Sequence, residues 1–298
     1  MTLRIEILKL GSVEADSSPL ADYRKSAVPV VRPTLAYLIL GGAEGPILVD
    51  TGFRDPEAIS SAGLKAAVAQ GEGLEQELAR RGLRPADIRY IFHTHLHASH
   101  AGKDDVFPAS TTVVMNRREL EVGCGGLGGP NYPARDMKHL LDRLHTPGAA
   151  WLLDLHYSGP VELVPGIAAE ITGGHTEGSM NLLAETDDGI ACICSDVVYD
   201  IQAQIVAPCF QLNHREPLIS ATTAVSRAHE VASVKKALQS GAWLLPMHDA
   251  PARIAAGGVV IGRVAGIHVP GPVAPLESAA TAHHAGGSGV PPNSSNHR

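Results

Sequence analysis

Four histidines, His93, His95, His97 and His100, fall within the ten residues HTHLHASHAG, and this cluster constrains the chain more than any other feature. Neutral imidazole is the commonest side-chain ligand for zinc, so a cluster this dense points to a metal. It follows IRYIF, which reads as a short strand over 88–92 that delivers the histidines at its C-terminal end. A hydrolytic metal site needs imidazoles or carboxylates converging on one point, with a position left for water. Three other segments offer them: His175 in the glycine-rich TGGHTEGSM, Asp196 in CSDVVY and His248 in LPMHD. Each sits at the end of a strand-like run, where active-site loops are usually built.

The remaining sequence predicts a scaffold rich in short strands. MTLRIEILKLGSVEAD reads as a first strand, and TLAYLILGG and GPILVDTGF read as adjacent strands ending in a loop at Asp50, Thr51 and Gly52. Apolar spacing predicts a helix over 56–81 with Gly82 as its C-cap. TTVVMN reads as a strand and NRREL as the opening of a helix. Residues 123–160 begin with GCGGLGGPNYP, too rich in glycine and proline for a regular element, and read as an insertion or lid over the site. VELV, IAAEIT, NLLAET and IACICSD follow in the rhythm of an antiparallel sheet, then a helix over about 217–239 and a last core strand in AWLLPMHD. Trp151 and Trp243 read as core residues. The division expected is a catalytic domain over 1–269 and a disordered tail over 270–298, whose sequence lacks apolar periodicity.

Composition excludes several functions. With 298 residues, 44% hydrophobic side chains and a net charge of −7, the chain is globular, and its scattered Lys and Arg give no footprint for nucleic acid or an anionic membrane. No run of about 18 apolar residues is present to span a bilayer. MTLRIEILKLGSVEAD lacks the apolar core and cleavage site of a signal peptide, and four cysteines make no disulfide framework, so a cytoplasmic protein is expected. Cys192 and Cys194 read as packing on a buried strand. GCGGLGGP has no lysine or Ser/Thr in the arrangement of a phosphate-binding loop.

The ordered set His95, His97, His100, His175, Asp196 and His248 resembles the signature of the metallo-β-lactamase superfamily, a His-x-His-x-Asp-His loop followed by a later His, a bridging Asp and a final His. Thr94, Ala101-Gly102 and the upstream LVDTG also match, and the resemblance extends over about residues 3–268. Starting the motif at His93 would put Ala98 where a histidine is required. The resemblance implies an α/β fold, the αββα sandwich of two mixed sheets with helices outside and metals at one edge. It implies His95, His97 and His175 as ligands of a first Zn2+, Asp196 as the bridge, and His100 and His248 as ligands of a second. Ser99 stands where the signature has Asp, so the second site loses a negative charge. Either one zinc suffices, or a water held by Ser99 completes a weaker second site. Asp50 is implied as a carboxylate that orients the metal loop, and His93 as a supporting or packing residue as readily as a substrate contact.

Within the superfamily the likeness is to lactonases that open N-acyl homoserine lactones, which carry a tyrosine three residues after the bridging aspartate, as Tyr199 follows Asp196 here. The implied activity is zinc-dependent hydrolysis of a small neutral substrate with a lactone, ester or amide bond. Zinc would make a water acidic enough to act as nucleophile, Asp196 would orient it, and Tyr199 would polarise the substrate oxygen. Two alternatives stay open: a mononuclear zinc dehalogenase of a chlorinated aromatic of the chlorothalonil type, which Ser99 makes more credible, and an iron-dependent persulfide dioxygenase, because some relatives use the same fold with a single iron. A family member that binds metal without turnover is the non-enzyme alternative. Family habit is compatible with a homodimer. The isolated His139, His145, His156, His214 and His229 read as ordinary histidines, and His283 and His284 as tail residues.

Overall fold

The computed structural model describes residues 2–16, 29–60, 64–126, 128–206, 216–219, 225–265 and 267. The first sheet grows from a long antiparallel pair, β1 (Arg4–Asp16) and β2 (Pro29–Leu40). In β2, Leu35, Tyr37 and Ile39 face one apolar cluster while Ala36 and Leu38 face another. Burial on both faces explains why TLAYLIL is almost uniformly apolar rather than alternating. β3 (Ile47–Val49), β4 (Lys65–Ala67), β5 (Tyr90–Phe92), β6 (Thr112–Asn116) and β7 (Ala150–Leu153) complete this sheet in the order β4-β1-β2-β3-β5-β6-β7. From β3 to β7 the pairing is parallel. The second sheet contains β8 (Val161–Val164), β9 (Ile167–Ile171), β10 (Met180–Thr186), β11 (Gly189–Ile193), β12 (Trp243–Leu245), β13 (Ala252–Ala255) and β14 (Val259–Arg263) in the order β14-β13-β12-β11-β10-β9-β8. Only its β11–β12 pair is parallel.

The clusters define the layers. Leu35, Tyr37 and Ile39 meet Ala169, Leu182, Ile193 and Leu245 between the sheets. On the outer face of the first sheet lie α1 (Leu74–Ala79), α2 (Arg117–Cys124) and α3 (Ala134–Leu144), through Leu74, Leu78, Leu120, Met137 and Leu140. On the outer face of the second, α4 (Arg227–Ser240) packs Val234 and Ala237 against Cys192, Leu244 and Ala252. This is the expected sandwich of two mixed sheets between helices. Asn116 caps α2 by accepting from Arg118 N, and Ser226 caps α4 by accepting from His229 N, as short polar residues do at helix starts. No helix of the described residues is long and apolar enough to cross a membrane.

Five local expectations need correction, the first being the helix expected over about 217–239, which begins at Arg227 while residues 217–219 are not helical. The helix expected over 56–81 shrinks to α1, because Lys65–Ala67 instead pairs with Ser12–Glu14 as an edge strand and Gly71 and Gly73 turn the chain at φ 84° and 106°. The stretch 123–160 carries α3 and the edge strand β7, so regular structure fills much of the expected insertion. AWLLPMHD is not the last strand, since β13 and β14 follow and extend the sheet. Trp243 packs on the core as expected, but Trp151 on β7 is exposed. The expected tail over 270–298 and His214 lie outside the described residues.

The histidine loop that follows β5 is docked against the loop that follows β3. Thr51 N donates to His100 O at 2.7 Å and Gly102 N to Gly52 O at 2.8 Å. A Cβ at Gly102 would stand 2.4 Å from Arg54 N and 2.9 Å from both Ala98 O and Gly52 O, all backbone atoms that cannot swing away. Gly102→Ala is expected to destabilise the fold by about 1–3 kcal/mol in urea unfolding. An unchanged unfolding midpoint would show that the two loops are not held this closely.

Candidate metal centre

The strand ends bring the sequence-predicted histidines together. His95, His97 and His100 come from the loop after β5, His175 from the turn between β9 and β10, Asp196 from the short 3-10 turn Ser195–Val197 after β11, and His248 from the segment after β12. All six are buried. The loop is pinned from several sides: Met180 N donates to Thr94 O, and Ala98 N to Asn131 O. Two non-glycine residues beside the site, Asp50 and Ser195, adopt positive φ of 59° and 49°. Such conformations persist only where their surroundings hold them.

Distances among the donor atoms match what a metal requires. Asp196 Oδ2 lies 3.3 Å from His100 Nε2, 3.5 Å from His175 Nε2 and 3.9 Å from His95 Nε2, and Oδ1 lies 3.5 Å from His248 Nε2. His175 Nε2 is 3.2 Å from His97 Nδ1. Ligand atoms about 2.0–2.1 Å from a tetrahedral zinc lie about 3.3–3.4 Å from one another. Two groups bring one donor atom of each residue within 4.8 Å of the others along the lines expected, His95-His97-His175 and His100-Asp196-His248, and Asp50-His95-His100 forms a third. His95 Nε2, His100 Nε2, His248 Nε2 and Asp196 Oδ1 are all buried without a hydrogen-bond partner. Each such atom costs about 1–3 kcal/mol in desolvation if nothing binds it. Divalent cations held by these two groups would satisfy all four, so the residues present fit the implied metal.

The electrostatics agree. Burial, then the charge of neighbouring histidines, holds His95 and His97 well below the ordinary imidazole range, leaving neutral rings with lone pairs to donate. Burial likewise lowers His175, to about 4. Burial opposes ionisation of Asp196, yet His100 and His248 keep its carboxyl far below the usual carboxylate range. His95, His97, His175 and Asp196 thus hold the charge state that a metal site needs, whereas at His100 burial is outweighed by Asp196 and Asp50, which push the ring up to about 10, so a cation there displaces a proton.

A ring of buried partners aims the histidines. Asp50 accepts from Thr94 N at 2.9 Å and Thr94 Oγ1 at 2.7 Å, and its Oδ2 lies 2.8 Å from His100 Nδ1. His248 Nδ1 lies 2.9 Å from Pro33 O, an acceptor only, so that nitrogen carries the proton and Nε2 faces Asp196 with its lone pair. His93 does not face open space. It bridges Asp104 at 2.8 Å and Asp50 at 3.3 Å, and although burial opposes it, Asp104 and Asp50 push its pKa up to about 9. Asp104 in turn accepts from Thr51 Oγ1 at 2.9 Å, and the buried Arg143 donates to the carbonyls of Asp104, Phe107 and Thr111.

Tyr199 stacks on His248 with ring centroids 4.4 Å apart and 26° between planes, and Ser99 is buried on the loop beside His100. His145, His156 and His229 are exposed, and His139 accepts from Arg143 Nε on α3. Residue-by-residue reading missed Asp104, Arg143, Tyr132 and Glu119. Tyr132 meets His97 edge-on at 4.9 Å and donates to Glu119 at 2.7 Å. The one available signal was NRREL, which places Glu119 in the first turn of a helix directly after a buried strand.

A layered sandwich with a buried polyhistidine edge defines a class, and comparison with known proteins gives it a name. The model of the metallo-β-lactamase superfamily matches residues 29–253, and the chain belongs to that superfamily. An N-acyl homoserine lactonase of Bacillus cereus is 31% identical over 180 residues, 56% of this chain. The match spans 64% of that relative, somewhat under two thirds of its length. A solved structure of a probable metal-dependent hydrolase from Staphylococcus aureus superposes with a TM-score of 0.67 at 17% identity, covering 88% of this chain and 96% of its own. The structure of AidC, a dizinc quorum-quenching lactonase in complex with the product N-hexanoyl-L-homoserine, superposes with a TM-score of 0.60 at 17% identity, covering 87% and 94%.

Asp50→Asn keeps the shape of the side chain but replaces one acceptor oxygen with a donor facing either Thr94 or the histidines. The expected outcome is a folded protein whose zinc affinity, measured by competition with a chelator, falls by about 10- to 100-fold. Wild-type affinity would show that Asp50 does not orient the loop.

Proposed function

We propose that the chain is a zinc-dependent hydrolase that opens the lactone ring of N-acyl homoserine lactones. The observation that carries this reading is the convergence of five imidazoles and Asp196 at metal-ligand spacing, with four buried donor atoms left unpartnered. In this reading His95, His97 and His175 hold one zinc, His100 and His248 serve a second position, and Asp196 lies between them. Bound there, zinc supplies Lewis-acid polarisation and a water acidic enough to attack at neutral pH.

The chain's own groups do the rest. Asp196 is an acceptor-only carboxylate that would orient the attacking water by accepting a hydrogen bond from it. Burial, then the charge of Asp196, pushes the Tyr199 phenol well above its ordinary value, so it stays protonated and donates a hydrogen bond to the carbonyl oxygen as charge develops. Arg32, whose charge reaches Tyr199, is paired through one guanidinium nitrogen with Asp200. The lactonase names of the relatives and the aspartate-to-tyrosine spacing support the choice of substrate. A small-molecule substrate, a domain spanning 1–269 and a homodimer complete the proposal.

Ser99 makes the second position weaker than one with a carboxylate there. Ser99→Asp is therefore expected to raise zinc content, and an unchanged content would show that the position has been remodelled. Ring opening of N-hexanoyl-L-homoserine lactone, followed by proton release, tests the activity. Tyr199→Phe should lower kcat by about 100-fold with zinc content unchanged, and His175→Ala should abolish turnover together with tight zinc binding. A zinc-loaded wild-type chain that leaves the lactone intact would contradict the substrate assignment, and full activity in His175→Ala would contradict the site.

A further inference from the structure

Glu119 is a buried carboxylate that the reaction described above does not use. It sits in the first turn of α2, where an acidic residue would ordinarily face solvent, yet its exposure is 1%. Four donors converge on it. Leu96 N and Tyr132 OH donate to Oε1 at 3.1 and 2.7 Å, and Thr176 Oγ1 and Gly178 N donate to Oε2 at 2.6 and 3.2 Å.

The identity of those donors is informative. Leu96 is the residue between His95 and His97, Thr176 directly follows His175, and the Tyr132 ring packs edge-on against His97. Every histidine of the His95-His97-His175 group thus neighbours a group anchored on one carboxylate. The 172–179 turn approaches α2 so closely that a Cβ at Gly178 would stand 2.2 Å from Glu119 N. The other group is held differently, through Asp50 on His100 and Pro33 O on His248.

We propose that Glu119 is a positioning residue that fixes the spacing between the 93–102 loop and the 172–179 turn, and so builds the first metal position without touching metal or substrate. A carboxylate suits this task because each oxygen accepts two hydrogen bonds. Glutamine does not: its oxygen can serve one side, but its amide nitrogen would face either Leu96 N or Gly178 N, backbone donors that cannot reverse. Burial raises the Glu119 carboxyl above its ordinary value, and the four donors oppose that rise. The inference rests on the metal reading proposed above.

The test compares wild type, Glu119→Gln and Thr176→Val, each loaded with zinc and mixed with a chromophoric chelator, alongside thermal unfolding of the metal-free proteins. Zinc release is expected to quicken by about 10- to 100-fold in Glu119→Gln and by less in Thr176→Val. The visible absorption of the cobalt(II)-loaded variants should also shift, a change that a general loss of stability would not produce. Wild-type release from a folded Glu119→Gln would overturn the inference and leave the metal reading intact. If Glu119→Gln does not fold, wild-type release and an unshifted cobalt spectrum in Thr176→Val would overturn it instead. A wild-type chain that takes up no zinc would overturn the metal reading and this inference together.

Discussion

Burying unpaired lone pairs is what the rest of this molecule is organised around. His95 Nε2, His100 Nε2, His248 Nε2 and Asp196 Oδ1 are withdrawn from water with no hydrogen-bond partner. At about 1–3 kcal/mol each, such desolvation consumes much of the margin of an ordinary domain. Folded proteins keep such arrangements where a ligand offsets the cost, and a divalent cation is the ligand these atoms fit. The other ring nitrogens of His100 and His248 are engaged, by Asp50 and by Pro33 O, which leaves the Nε2 atoms as the free ends.

The sandwich explains how residues so distant in sequence reach one point. β3, β5 and β6 run parallel in the first sheet and β11 and β12 run parallel in the second. Loops leaving their C-terminal ends carry Asp50, the histidine loop, Asp196 and His248. Rigid strands buried on both faces set the positions of these loops to within the tolerance that coordination demands. Close backbone contacts then lock loop to loop, with Gly102 against Arg54 and Gly178 against Glu119. The site is in this sense a property of the sheet edges rather than of any single motif.

Much of this was legible in the sequence for a physical reason. Residue types that can ligate a metal are uncommon, and here they cluster and follow apolar runs, so the six that the structure brings together, His95, His97, His100, His175, Asp196 and His248, could be read in order and their neighbours checked. The strands were legible where both faces are buried, as in TLAYLIL and IACIC. What failed was local periodicity without tertiary context. Apolar residues between 56 and 81 suggested one helix, but Gly71 and Gly73 at positive φ and the pairing of Lys65–Ala67 with β1 decided otherwise. Supporting residues were the least legible, because Glu119, Asp104 and Arg143 meet side-chain and backbone groups that lie well away from them in sequence. A glutamate at the start of a helix carries no mark that its carboxylate will turn inward to meet Leu96 and Gly178.

The measurement that tests the central claim most directly is the metal content of the purified chain, by plasma mass spectrometry, beside that of His95→Ala. The account predicts at least about one zinc per chain in the wild type and its loss in the variant. A wild-type chain free of transition metal, or one whose zinc survives the removal of His95, would contradict it.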